Sequence, residues 1–355
     1  MHNIIISLLT SLITVLMLSC GSNSDNILGD GEVTDDFCLG ADVSWITEME
    51  HGGHKFYNPK GFASDGIALI KSYGIGAVRL RVWADPSEHG GWCSKEDVLE
   101  KALRAKHLDM DVMIDFHYSD WWADPAKQNI PKAWDGHSYE LLKKDVARHT
   151  SEVLTLLKKN GITPRWVQVG NETSNGMLFP MGQADRHPEQ YAGLFKAGYD
   201  AAKKVFPDTK VIVHLDRGHD AGLYDWNLDI LKNNGASWDI IGMSVYPFWS
   251  GLSADDAISR SISNINRISA KYNCDVMVVE TGMECADSNG NLASKSVLAE
   301  SRRQLSLLIS ECRYGTNNHC KGVFYWEPEC RPGMYRLGAF TKDGRPTIIM
   351  DAFKD

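Results

Sequence analysis

The sequence lacks a basic run, and this absence excludes two classes of partner. Its 37 lysines and arginines are outnumbered by 46 aspartates and glutamates, which gives a formal net charge of -9. Nucleic acids and anionic membrane surfaces are bound through clustered positive charge. The composition therefore argues against nucleic acid as a partner and is compatible with a neutral polymer as a ligand.

The chain also lacks an apolar run long enough to span a membrane. The run at residues 4–18 is nearly unbroken, but it is shorter than the roughly 20 residues that a spanning helix needs. Such a run at the N-terminus is typical of a signal peptide. We predict a signal peptide over residues 1–19, a polar tether over residues 20–36 and one folded domain over residues 37–355.

The end of the apolar run indicates how the chain is anchored. Residues 16–21 read LMLSCG, which resembles a bacterial lipoprotein cleavage box and makes Cys20 the lipidated N-terminus of the mature protein. A single acyl chain binds a membrane weakly, whereas bacterial lipoproteins resemble proteins with several acyl chains, which stay bound to the membrane. We expect the protein to be an exported lipoprotein. This lipid would anchor it in the membrane, at the outer membrane or the cell surface.

The chain has few cysteines, and the sequence does not fix how they pair. Seven of the eight cysteines remain when Cys20 is set aside, so at least one is free if the others pair. Cys312 and Cys320 flank one turn and are candidates for a local bridge, and Cys285 and Cys330 lie in neighbouring predicted loops. Buried free thiols are the alternative, and the sequence leaves the two open.

The sequence has no G-x-G-x-x-G after a predicted strand and no P-loop, so the nucleotide sites of open α/β sheets are missing. From Cys38 onward, β-rich runs alternate with helical patterns, as βα units do. The predicted strands are Cys38–Trp45, Ala77–Trp83, Asp111–His117, Arg165–Gly170, Lys210–Leu215, Asp239–Tyr246, Asp275–Glu280 and Lys321–Glu327. Helical patterns include Lys95–His107, His137–Lys159, Pro188–Val205, Ala254–Tyr272 and Ser294–Cys312. Eight units predict a single-domain TIM (β/α)8 barrel, with a doubly wound open sheet as the alternative.

The predicted strand ends are unusually polar and aromatic. In a TIM barrel the active site forms at the carboxyl ends of the strands. The residues at those ends are Asp42, Trp45, Arg81, Trp83, Asp115, His117, Asp120, Trp121, Trp122, Asn171, Glu172, His214, Asp216, Tyr246, Trp249, Glu280, Trp326 and Glu327. Polar and aromatic residues without a shared function would occur at both ends of the strands. The position of all these residues on one rim therefore favours a functional site.

Two glutamates at this rim suit glycoside cleavage. That reaction needs one protonated and one ionised carboxyl on opposite sides of the scissile bond. Glu172 on the fourth strand and Glu280 on the seventh face each other across the barrel, which fits the separation of about 5 to 5.5 Å in a retaining pair. An arginine and a tyrosine can hold the nucleophile ionised, and Asn171 can bond the sugar 2-hydroxyl. The alternatives are barrel-mouth packing for the tryptophans, a core histidine at His117 and a structural ion pair at Arg81.

Eight segments at these strand ends resemble glycoside hydrolase family 53. They are residues 40–44 (GADVS), 79–83 (RLRVW), 115–120 (DFHYSD), 122–125 (WADP), 169–172 (VGNE), 246–249 (YPFW), 280–282 (ETG) and 325–328 (YWEP). The resemblance runs from about Cys38 to Phe353. The family belongs to clan A, whose shared pattern has an acid/base glutamate after asparagine on strand four and a nucleophilic glutamate on strand seven.

The resemblance implies retaining endo-hydrolysis of β-1,4-galactan, including type I arabinogalactan, with Glu172 as acid/base and Glu280 as nucleophile. It implies no cofactor for the chemistry, and we expect a monomer. The candidate substrate-binding residues are Asp42, Arg81, His117, Asp120, Trp121, Trp122, Asn171, His214, Tyr246, Trp249 and Trp326. There are departures: Ser244 stands where clan members often have histidine, and Trp45 and Trp121 are bulkier than expected.

The resemblance also raises a structural calcium ion, because some bacterial members bind calcium after strand seven. Here Asp287, Asn289 and Asn291 offer oxygen ligands at alternate positions in a tight turn, which suits a hard cation. A plain Asx-rich turn is the alternative interpretation.

Two other functions remain open at this stage. A clan A hydrolase acting on mannan, xylan or cellulose would share the same carboxyl pair. The shape of the pocket around the axial O4 of galactose distinguishes a galactanase from these enzymes. A non-catalytic glycan-binding lipoprotein would also suit the aromatic rim. The carboxyl pair speaks against this second alternative, because a pure binder has no need of it.

Overall fold

The carboxyl ends of eight parallel strands meet at one rim in this computed structural model, which describes residues 36–355. The strands are β1 (Cys38–Asp42), β2 (Ala77–Val82), β3 (Asp111–Phe116), β4 (Trp166–Val169), β5 (Lys210–Leu215), β6 (Ile240–Val245), β7 (Asp275–Thr281) and β8 (Cys320–Trp326). Neighbours in the chain are neighbours in the sheet, and β1 pairs with β8 to close the barrel. The predicted TIM barrel is confirmed. The predicted signal peptide, Cys20 and the tether up to Asp35 lie outside the described residues.

Helices cover the outside of the barrel. They are α1 (Ile46–His51), α2 (Gly66–Lys71), α3 (Lys95–His107), α4 (Tyr139–Lys159), α5 (Pro188–Val205), α6 (Ala221–Asn233), α7 (Ala254–Tyr272) and α8 (Lys295–Tyr314). Several begin at a side-chain cap that satisfies an otherwise unpaired backbone N–H; Ser94, for example, accepts from the N–H of Asp97. After β8 the place of a further α-helix is taken by a 3-10 helix, Ile348–Phe353, which packs on α8.

The inside of the barrel has an apolar floor. Side chains of all eight strands fill it, among them Met113, Trp166, Ile212 and Phe324, and the rings of Trp166 and Phe324 meet edge to face at 5.8 Å. Gly40 makes room for this packing, because a Cβ there would stand 2.2 Å from the Phe324 ring. Towards the carboxyl ends the inward positions change from apolar to polar, so the floor supports a polar layer.

The sequence located most elements to within three residues. The bounds of α3, α5 and α7 match the predicted ones, whereas α6 was not among the predicted helices. Within residues 36–355, each helix is too short or too polar to cross a bilayer. All seven cysteines of this range are free thiols, so the structure contains neither candidate bridge.

Candidate active site

A cavity of about 580 Å³ opens at the carboxyl ends of the strands. We call it the cleft. One part of its wall is aromatic, formed by Trp45, Trp122, Trp249, Trp326 and Tyr335. Another part is charged, formed by Asp124, Lys127, Asp216, Arg217 and His219. The cleft therefore combines flat apolar faces with hydrogen-bonding groups, as a sugar-binding site requires.

Glu172 and Glu280 lie together in the cleft wall. One carboxylate oxygen of each, together with a ring nitrogen of His214, falls within a group whose members are all within 4.8 Å of one another. This is close to the separation of about 5 to 5.5 Å in retaining glycosidases, and well below the roughly 6.5 to 9.5 Å of inverting ones. Glu172 has a φ of 45°, a left-handed conformation that is costly for a side chain other than glycine and is found at functional sites.

Two contacts of Glu280 favour its ionised form. Nη2 of Arg79 lies 2.9 Å from Glu280 Oε1, and the hydroxyl of Tyr246 donates to Oε2 at 3.1 Å. Arg79 is fully buried and also pairs with Asp42 at 2.7 Å and Asp115 at 2.9 Å. These carboxylates hold the guanidinium in place, so the cation stays directly against the nucleophile candidate.

Glu172 has a different environment. Its hydrogen-bonding partner is the hydroxyl of Ser244, which donates to Oε1 at 2.6 Å. The backbone N–H of Glu172 donates to Nδ1 of His214 at 3.2 Å. No guanidinium or ammonium group of residues 36–355 forms an ion pair with this carboxyl, so burial acts on it with little compensation.

These environments raise the pKa of the two glutamates to different extents. Burial raises the pKa of Glu280 to about 7, and Arg79 and Tyr246 limit that rise. Burial and the neighbouring Glu280 raise the pKa of Glu172 well above its ordinary value, with Ser244 as the main opposing contact. When the pair holds one proton, the proton is therefore on Glu172. This is the protonation state that an acid/base and nucleophile pair needs before reaction.

Asn171 is fixed beside the two glutamates. Its Nδ2 donates to the carbonyl of Ala123 at 2.8 Å, and its Oδ1 accepts from Nη2 of Arg79 at 2.9 Å. Gln168 lies one layer deeper and donates to Asp115 at 2.5 Å and to Oδ1 of Asn171 at 3.2 Å. The amide of Asn171 is thus oriented by three groups, and its second N–H makes no hydrogen bond within residues 36–355.

Arg81 is buried beneath the aromatic part of the wall. It pairs with Glu327 at 2.5 Å, and its guanidinium lies 4.3 Å from the ring centroid of Trp122 and 5.1 Å from that of Trp45. Cation–π contacts of this kind stabilise partly desolvated arginines. Arg81 therefore supports the aromatic surface from below and does not touch Glu280.

Comparison with known proteins identifies the family. The model of "Glycosyl hydrolase family 53" matches residues 38–344. The chain belongs to glycosyl hydrolase family 53. It is 33% identical over 314 residues to the endo-beta-1,4-galactanase of Bacillus subtilis, which covers 84% of this chain and 71% of that protein.

Solved structures of the family have the same fold. The family 53 catalytic domain of Ignisphaera aggregans superposes with a TM-score of 0.81 at 31% identity, covering 91% of this chain and 97% of that one. A fungal beta-1,4-galactanase superposes with a TM-score of 0.80 at 26% identity, covering 89% and 98%. More distant neighbours at 15% identity include xylanases, and they show the shared barrel alone.

The family 53 cleft contains six of the eleven predicted substrate-binding residues. These six are His117, Trp122, Asn171, Tyr246, Trp249 and Trp326. His117 is held by Asp115, 3.0 Å from its Nε2, and its Nδ1 accepts from the backbone N–H of Ala123. Their roles towards substrate stay predictions.

The other five lie outside the cleft wall, each for a definite reason. Asp42 and Arg81 are buried in ion pairs below it, and His214 is buried behind Glu172. Asp120 joins two loops by accepting the backbone N–H groups of Asp85 and Lys132. Trp121 is 38% exposed and stacks on His89 at 3.8 Å, beyond the end of the cleft.

Three functional candidates were missed from the sequence. Arg79, not Arg81, is the arginine beside Glu280; both point inward from β2, and alternation alone does not say which one reaches the nucleophile. Gln168 has the same inward parity on β4 and could have been found on that basis. Tyr335 reaches the cleft from the long loop after β8, where no strand end marks its position.

The turn at Asp287 is closed by hydrogen bonds among its own residues. Oδ1 of Asp287 accepts the backbone N–H groups of Asn289 at 2.8 Å and Asn291 at 2.9 Å, and Oδ2 accepts from Nδ2 of Asn291 at 3.3 Å. These are the contacts of an Asx turn, and a cation would have to replace the last of them. The calcium site stays a prediction, and the proposed reaction does not involve it.

Proposed function

We propose that this family 53 chain is a retaining endo-β-1,4-galactanase that hydrolyses internal bonds of β-1,4-galactan, including type I arabinogalactan. The observation that carries the proposal is the pair Glu172 and Glu280, close together in the cleft and set in different environments, with a guanidinium against Glu280 and a hydroxyl against Glu172. Relatives at 30 to 33% identity that bear the name endo-beta-1,4-galactanase support the substrate.

In the first step Glu280 is the nucleophile. Its carboxylate attacks the anomeric carbon while Glu172 gives its proton to the departing oxygen, which leaves a covalent galactosyl-enzyme and an ionised Glu172. The 2.9 Å contact with Arg79 keeps Glu280 ionised and oriented before attack. As its charge passes to the sugar, Glu280 no longer stabilises the proton on Glu172, so proton transfer and attack reinforce each other.

In the second step Glu172 is the base. It takes a proton from a water molecule that attacks the anomeric carbon, and Glu280 leaves with its bonding electrons. Both steps invert the same carbon, so the product keeps the β configuration. The two carboxyl groups supply all of the acid, base and nucleophile that the reaction needs, and we therefore propose that it requires no cofactor.

The aromatic part of the cleft suits the galactose chain. Trp326 and Trp122 lie with ring centroids 5.9 Å apart, and Trp45 and Trp326 meet at 5.2 Å. These rings are braced against one another and against Arg81, so they present rigid faces to a pyranose ring at little entropic cost. A rigid aromatic platform with polar edges is typical of neutral sugar recognition.

A substrate panel tests the proposal. The purified protein is incubated with galactan, mannan, xylan and cellulose, and the products are sized. We expect a spread of oligosaccharides from galactan early in the reaction, since an endo-enzyme cuts internal bonds. Release from mannan, xylan or cellulose in preference to galactan would favour another clan A activity, and no release from any of them would favour a glycan-binding protein.

We further propose that the enzyme is exported and held at the membrane by lipid on Cys20. The supporting observation is the sequence LMLSCG at residues 16–21 followed by a polar tract. One chain supplies both glutamates and the cleft, so we propose that it acts as a monomer. Cys20→Ala is expected to move the protein from the membrane to the soluble fraction with unchanged specific activity, because the proposed lipid site lies outside the catalytic domain. Retention of this variant in the membrane fraction would argue against lipidation.

A further inference from the structure

A chain of three side chains leads from behind the cleft to Glu172. Nε2 of His214 lies 2.9 Å from Oγ of Ser244, and the Ser244 hydroxyl lies 2.6 Å from Oε1 of Glu172. His214 is fully buried and Ser244 nearly so. Neither the attack by Glu280 nor the proton transfer described above requires this chain, so its role needs a separate explanation.

The direction of each hydrogen bond follows from His214. Its Nδ1 accepts the backbone N–H of Glu172 at 3.2 Å, and this donor has a fixed direction, so Nδ1 is the acceptor nitrogen. The side-chain amides of Gln168 and Asn171 also lie close to Nδ1, with Nε2 of Gln168 at 3.0 Å and Oδ1 of Asn171 at 3.2 Å. The proton of the neutral imidazole is then on Nε2, where it is donated to Ser244. The hydroxyl of Ser244, having accepted this bond, directs its own proton to Oε1 of Glu172.

The neutral form of His214 is stable in this position. Burial lowers its pKa well below the ordinary value, and the positive charge of Arg79 acts in the same direction. An imidazolium would also put a proton on Nδ1, against the backbone N–H of Glu172. The direction of the chain therefore does not reverse during the reaction.

We infer that Ser244, oriented by His214, fixes Oε1 of Glu172 as a permanent hydrogen-bond acceptor and so leaves Oε2 as the oxygen that gives and takes the catalytic proton. Within residues 36–355 no group hydrogen bonds Oε2, and Glu172 lines the cleft. Ser244 and His214 are thus positioning residues for the acid/base. This inference rests on the proposed function.

The arrangement has a consequence for the pH profile. The Ser244 hydroxyl bonds more strongly to a carboxylate than to a carboxylic acid, so it lowers the pKa of Glu172 against the effect of burial. The alkaline limb of kcat/KM reports ionisation of the acid in the free enzyme. The other titratable and charged groups that face Glu172 are Glu280, Asp216, Arg79, Tyr224, Tyr246 and His214.

Ser244→Ala is the test, with Ser244→Thr as the variant that keeps the hydroxyl. For galacto-oligosaccharides, whose leaving group needs acid assistance, we expect Ser244→Ala to lower kcat about tenfold, the effect of one lost hydrogen bond to a charged group. For an aryl β-galactoside with an activated leaving group, the first step should be nearly unchanged. The alkaline limb should move to higher pH in Ser244→Ala and return towards the wild-type position in Ser244→Thr.

Ser261→Ala is the matched control for the loss of a buried hydroxyl, because Ser261 bonds to a carbonyl within α7, away from the cleft. It should alter thermal stability without moving the pH limb. A Ser244→Ala variant whose loss is equal for both leaving groups, with an unmoved alkaline limb, would overturn the inference while the galactanase proposal stands. A wild-type enzyme that releases nothing from galacto-oligosaccharides would overturn the proposed function and this inference together.

Discussion

Arg79 donates to Glu280 across 2.9 Å, whereas the partner of Glu172 is the neutral hydroxyl of Ser244. The two glutamates are of the same type and lie on the same rim, with Glu280 buried and Glu172 half-buried in the cleft wall. The difference between a fixed guanidinium and a hydroxyl therefore decides which of them keeps the proton. The acid/base and nucleophile roles that the resemblance implies stay predictions, and this difference in contacts supports them.

The first prediction concerns this guanidinium. Arg79→Lys keeps a positive charge but loses the planar fork that contacts Asp42, Asp115 and Glu280 together. We expect kcat/KM to fall by about a hundredfold or more, and its acidic limb to move to higher pH, because a less stabilised Glu280 carboxylate has a higher pKa. Arg81→Lys, on the same strand but away from Glu280, should leave that limb in place. Equal shifts in both variants would contradict the assignment.

The second prediction separates the two carboxyl roles. Glu172→Gln and Glu280→Gln should each lower hydrolysis of galactan by at least about a thousandfold, since each removes a group that the double displacement needs. With an activated aryl galactoside, Glu172→Gln should still form the galactosyl-enzyme, seen as a burst of the aryl leaving group, and Glu280→Gln should not. A burst from the Glu280 variant would reverse the assignment.

The third prediction concerns Glu329, a fully buried acid next to Glu327. Burial, and then the charge of Glu327, raise the pKa of Glu329 well above its ordinary value. In the folded protein it therefore stays protonated at pH values where the unfolded chain has released the proton. The free energy of unfolding is unaffected below the unfolded pKa of about 4.3 and falls as pH rises above it, by up to about 1.4 kcal/mol per pH unit.

Glu329→Gln keeps the shape of the protonated acid and cannot ionise. We expect this variant to match the wild-type stability near pH 4 and to exceed it at pH 7, in denaturant unfolding followed at both values. Glu329→Ala, which leaves a cavity beside Glu327, should lose stability at both. A Glu329→Gln variant that is less stable than wild type at pH 7 would show that the ionised acid is the native form.

The fourth prediction concerns Trp121, which stacks on His89 beyond the end of the cleft. If it forms a distal subsite, Trp121→Ala should raise KM for long galactan chains about three- to tenfold, the effect of losing roughly 1 kcal/mol of stacking. Hydrolysis of the shortest cleavable oligosaccharides should be unchanged. Trp226 is 40% exposed on α6, so Trp226→Ala is the matched control and should show no length dependence. A lower melting temperature with equal loss for all lengths would indicate packing.

Much of the fold could be predicted because its signals are local. The strands are short apolar segments between polar turns, and an acid after Asn171 or at the end of β7 stands at the rim whatever its neighbours do. The depth of a side chain in the barrel and the position of a loop depend on contacts between residues that are distant in the sequence. Arg79 and Arg81 have the same parity on β2, and only the three-dimensional arrangement brings one to Glu280 and places the other under Trp122. The position of Tyr335 depends on a loop in the same way, and the contact between Ser244 and His214 depends on the pairing of neighbouring strands.

The anomeric configuration of the first product tests the central claim most directly. A galacto-oligosaccharide is mixed with the wild-type enzyme, and the anomeric protons are followed by NMR before mutarotation. We expect the β-anomer of the new reducing end to appear first, because Glu172 and Glu280 are close enough for a covalent intermediate. Initial appearance of the α-anomer would contradict it, since that outcome requires a water molecule in place of Glu280 as the nucleophile.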